Sequence, residues 1–198
     1  MTTPPIPKGD KARIAKLATV AQTLRDGSET YFSTTKLTSL KSLCKEPQTA
    51  NHFVFYLAQR TQVKMETVPR SNYTSEIDWN LYQSLIADAV SAMGNYLENP
   101  TGGNKMALQQ LRNQVRATQD EQRRVGWNTV RTIHSPEVLI IEYALECMLS
   151  PPFAPDYAYR AGRHYTERYE PRYGTGLIPA SAPMLADIVQ FWHGYYNL

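Results

Sequence analysis

Apolar residues recur along this chain mostly three or four positions apart, the spacing of a helix face, and only one stretch alternates enough to suggest a strand. The clearest case follows Ser75. There Ile77, Leu81, Leu85, Ala89, Met93 and Leu97 stand at four-residue steps before Asn99-Pro100 stops the run. Earlier, Asp10 can cap a helix carrying Ile14, Leu17, Ala21 and Leu24 that ends near Asp26-Gly27. Leu37, Leu40, Leu43 and Cys44 predict a second, ended by Pro47, and Phe53, Tyr56, Leu57 and Arg60 a third. Residues 62–68 at its far end are the stretch that can also be read as a strand.

The stretch TGGN predicts a turn, followed by a long helix from about Lys105 to Thr132. Ser135-Pro136 then opens the most apolar helix, with Val138, Leu139, Ile141, Leu145 and Met148, which Pro151-Pro152 ends. Residues 156–170 can be read as a further helix, and Ser181-Ala182-Pro183 predicts the start of the last one, through Leu185, Ile188, Val189 and Trp192. The pattern predicts an all-α single helical bundle of about seven to eight helices with an extended, flexible N-terminal arm over residues 1–9. Residues 10–152 make the main bundle, and 153–198 a Tyr/Arg-rich segment plus C-terminal helix, all within one domain.

Composition changes this picture little. Apolar residues at 42% and charged residues at 20% describe a globular chain, with no secretory pattern and no apolar run long enough for a membrane. Two distant cysteines, Cys44 and Cys147, fit a reduced cytoplasmic setting.

Charge distribution says more than the net +3. Residues 1–70 carry eleven Lys/Arg against five acids, residues 71–104 no base and four acids, and residues 105–131 six bases against two acids. In the long helix, with Arg112 at zero, Lys105 and Arg123 fall near 20° and Arg116 near 40°, a strip about 27 Å long. Arg124 lies off it, near 120°. Such a strip can follow a phosphate backbone. It can equally be a solvated face, or pair with the acidic 71–104 segment across an antiparallel contact.

The second dense segment, YAYRAGRHYTERYEPRYG, supplies Arg160, Arg163, Tyr165, Arg168, Tyr169 and Arg172. Phenol rings can stack on bases while guanidinium clamps phosphate. The same residue types also serve bundle packing and protein interfaces.

Catalytic patterns are weak. No E-x-x-H, H-E-x-x-H or G-x-S-x-G occurs, TGGNK lacks P-loop spacing, and Glu142 and Glu146 read as the polar edge of a buried helix. The expected function is therefore a non-enzymatic helical subunit of a larger assembly, without cofactor or metal, contacting RNA or single-stranded DNA through its basic helix face. Small subunits of ribonucleoprotein effector complexes offer an architectural analogy only. The alternative is a protein-interaction or scaffold module using the same Arg/Tyr surface. A helical-bundle metal enzyme built from His134, His164 and glutamates ranks last.

Overall fold

The computed structural model describes residues 2–29, 33–67, 76–125, 136–168 and 181–198. They form eight α-helices: α1 (Asp10–Arg25), α2 (Ser39–Leu43), α3 (Pro47–Thr67), α4 (Glu76–Glu98), α5 (Gly102–Val125), α6 (Pro136–Leu149), α7 (Ala154–Arg168) and α8 (Ser181–Tyr196). Short 3-10 turns lead into α2 and α7. No strand occurs among the described residues, so the all-α expectation holds, and residues 62–67 continue α3 as helix.

Helix ends follow local chemistry. Gly9, at φ 88°, precedes α1 in the left-handed conformation that glycine adopts without a Cβ penalty. Asp10 is thus the first helical residue and not the cap, and its carboxylate takes a 2.6 Å ion pair from Arg13. Pro47 lies past the end of α2 and also begins α3, where a missing N–H costs nothing. The TGGN stretch is mostly the first turn of α5. Thr101 Oγ1 accepts from the Asn104 backbone N–H at 3.2 Å, while Asn104 Nδ2 donates to the Asn99 carbonyl at 2.8 Å and closes the end of α4.

Helices α3, α6 and α7 form the centre. The α4–α5 hairpin packs on one side of them, and α1, α2 and α8 close the other. Helix α7 buries Ala154, Ala158, Ala161 and Gly162, small residues that let it lie close against α6 and α2, together with the large ring of Tyr165. A Cβ at Gly162 would stand 2.7 Å from Leu40 Cδ1. Phe53 and Trp192 stack at 5.3 Å between centroids in the same core. The N-terminal arm is non-helical, as expected, but Ile6 packs against the core.

Candidate functional site

Three helices side by side carry most of the residues singled out from the sequence. Helix α6 lies between α5 and α7, so the basic strip and the Tyr/Arg segment flank it. On the α5 side the strip meets carboxylates of the protein itself. Arg116 Nη2 donates to Glu146 Oε1 at 2.5 Å, its Nε stands 3.6 Å from Glu142 Oε1, and Arg112 Nε stands 3.8 Å from Glu146 Oε1. The Glu146 side chain is only 6% exposed, whereas that of Arg116 is 49% exposed. Burying this carboxylate without a cation would be costly, so the two arginines are what let α6 keep it. Glu142 and Glu146 are therefore the partners of Arg112 and Arg116. These two cations face the protein's own acids from α6 and form neither a free phosphate-binding surface nor, among the described residues, an ion pair with the acidic 71–104 segment.

Lys105 remains exposed, with no carboxylate partner among the described residues. Arg123 and Arg124 belong to α5, but their side chains lie outside the described residues.

On the α7 side, Tyr165 corrects the stacking expectation. It is fully buried, and its hydroxyl donates to Asp187 Oδ2 at 2.7 Å. A base cannot reach its ring. Asp187, on α8, also pairs with Lys64 at 3.3 Å and Arg60 at 3.5 Å, tying α3, α7 and α8 together. Burial, and then the hydrogen bond to Asp187, push the Tyr165 phenol well above its ordinary value. For Arg60, burial works against the charge, but Asp187 and its neighbours outweigh it and hold the guanidinium more firmly protonated.

Arg160 is exposed and sits over the Tyr143 ring at 5.7 Å, while His164 stacks on Tyr143 at 5.4 Å with the planes 6° apart. Arg163 is exposed on the same helix. Arg168 ends α7 with its side chain outside the described residues, as are Tyr169 and Arg172 altogether.

A further basic concentration lies around α1 and α2, outside the residues singled out from the sequence. A cavity of about 480 Å³ is bordered by Lys8, Arg13, Lys41 and Lys45, with Ser42 and Tyr196. A groove of about 510 Å³ adjoins it, bordered by Arg13, Lys16, Ser39 and Ser42. Arg13 and Ser42 belong to both. Two acids face the cavity, Asp10 and Glu46, and none faces the groove. Asp10 is engaged by Arg13, and Lys41 pairs with Asp156 at 2.8 Å. Lys8, Lys16 and Lys45 are exposed without a carboxylate partner among the described residues. The signal was the +6 balance of residues 1–70, dispersed in sequence and gathered only by folding.

Among the described residues no group of three or more His, Cys, Asp or Glu side chains is placed to hold a metal ion, and His134 falls outside them. Both thiols are buried; burial, reinforced by Cys147 and Asp10, pushes Cys44 well up, and burial pushes Cys147 up to about 12. Neither is an activated nucleophile. No helix among the described residues is long and apolar enough to cross a membrane. No known family, curated protein or solved structure matches the chain.

Proposed function

We propose that this protein is a non-enzymatic helical subunit of a larger assembly that contacts the backbone of RNA or single-stranded DNA, and that its contact surface is the α1–α2 face. One observation carries this reading. Lys8, Lys16 and Lys45 surround two joined depressions with serine hydroxyls beside them and no carboxylate of their own. Unpaired cations with hydroxyl donors are the chemistry that holds phosphate oxygens. The α5 strip supports the reading less, because Arg112 and Arg116 are already neutralised by Glu146 and Glu142.

Fluorescence anisotropy with labelled single strands at about 50 mM salt tests it, since each phosphate contact contributes to the salt slope. Charge reversal at Lys8, Lys16 and Lys45 is expected to weaken binding and flatten that slope, while reversal at Lys105 leaves both nearly unchanged. Absence of binding at low salt overturns the proposal.

The ordered Tyr143–His164–Arg160 stack favours a second reading, a protein interface on the α6–α7 face. Tyr143→Ala is then expected to release a partner that co-purifies with the unaltered protein.

A further inference from the structure

Resting on the phosphate-backbone reading above, we infer that the α1–α2–α8 cavity receives the phosphorylated end of a single-stranded nucleic acid, with the adjoining groove taking the phosphates that follow. Shape is the first argument. The groove has walls from α1 and from the α2 region only, so a chain can run along it. The cavity has walls on more sides: the approach to α1, helix α2, the start of α3, and Tyr196 at the end of α8. A strand that enters from the groove past Arg13 and Ser42 stops there. Its volume of about 480 Å³ is that of a small-ligand pocket.

Charge is the second. A terminal phosphomonoester carries about −1.5 to −2 at pH 7, more than an internal phosphodiester. In the cavity, Asp10 engages Arg13 and Asp156 engages Lys41, which leaves Lys8 and Lys45 without a carboxylate partner among the described residues beside the exposed Glu46. The groove has one such cation, Lys16.

Positioning is the third. Asp10 holds the Arg13 guanidinium at 2.6 Å, and Gly9 leaves room for it, since a Cβ there would come within 3.3 Å of Arg13 Nη1. The guanidinium therefore stands fixed at the junction of the two depressions. Tyr196 adds a neutral donor, its phenol pushed up to about 12 by burial and then by Asp10.

The experiment compares short single strands of one sequence bearing a 5′-phosphate, a 3′-phosphate or neither, with AMP alone as a further arm. One phosphorylated end is expected to bind about tenfold tighter than the unphosphorylated strand, as one added charge-assisted contact would give. Lys8→Gln with Lys45→Gln should erase that preference and keep the weaker binding. Lys16→Gln should weaken all strands alike. Equal binding of all three strands overturns the inference and leaves the backbone reading standing. Failure of every strand overturns both. AMP competing as well as the phosphorylated strand also overturns the inference, because a mononucleotide would then fill the site without the groove.

Discussion

Arg116→Ala separates a cation that holds the fold from one that waits for a ligand. Arg116 makes the short contact to Glu146, and the remaining partner, Arg112, stands at 3.8 Å. Opposite charges about 4 Å apart attract by about 4 kcal/mol at an effective dielectric of 20. Half of the Arg116 side chain is exposed, so solvent removes much of that. What survives is near the value of a hydrogen bond to a charged group, about 1.5–3 kcal/mol. We expect Arg116→Ala to cost about 2 kcal/mol, or about 4–8 °C in Tm for a chain of this size. Urea unfolding of Arg116→Ala, Glu146→Ala and the double variant gives the coupling directly, expected at about 1–2 kcal/mol. Because Glu146 is nearly buried, the coupling should persist at about 0.5 M salt. Lys105→Ala, an exposed position on the same strip, should stay within about 0.5 kcal/mol of the unaltered protein. A coupling of zero, with Arg116→Ala as stable as Lys105→Ala, would mean that the strip is free, and the assignment of Glu146 would fail.

Tyr165→Phe removes the donor to Asp187 from a buried position and should cost about 1.5–3 kcal/mol in urea unfolding; a cost below about 0.5 kcal/mol would show that the Asp187 cluster does not depend on it. Gly162→Ala should destabilise by about 1–2 kcal/mol despite better helix propensity, because its Cβ meets Leu40; in a Leu40→Val background the loss should shrink. Stability should fall as pH rises above about 9. Cys147 titrates near 9.0 when unfolded and at about 12 when folded, and Cys44 shifts the same way, so the unfolded chain releases those protons first. Below pH 9 that contribution is fully present, and replacing both cysteines by alanine should flatten the decline between about pH 9 and 12, read by chemical denaturation at each pH.

Elements with a regular apolar period were legible without coordinates. Helix α4, with its four-residue steps, and α6, with proline at its first position, fall where periodicity places them. Of the α5 strip, Arg112 and Arg116 do share a face, both meeting Glu146. That partnership was hidden because Glu146 lies 30 residues beyond Arg116, and only the packing of α6 on α5 brings them together. Tyr165 was misplaced for a local reason. Its segment is dense in aromatic and basic residues, and the inner face that ends at Tyr165 is marked only by the small Ala154, Ala158 and Ala161. The α1–α2 basic face was illegible because its lysines come from the arm, from two helices and from the turn before α3.

Helices α1 and α8 pack extensively on each other although almost the whole chain separates them. During synthesis, α1 can meet α2 early, but the larger part of its packing waits until α8 is made. A nascent chain stalled before residue 181 lacks α8 and offers chaperones the flank of α1 that α8 covers.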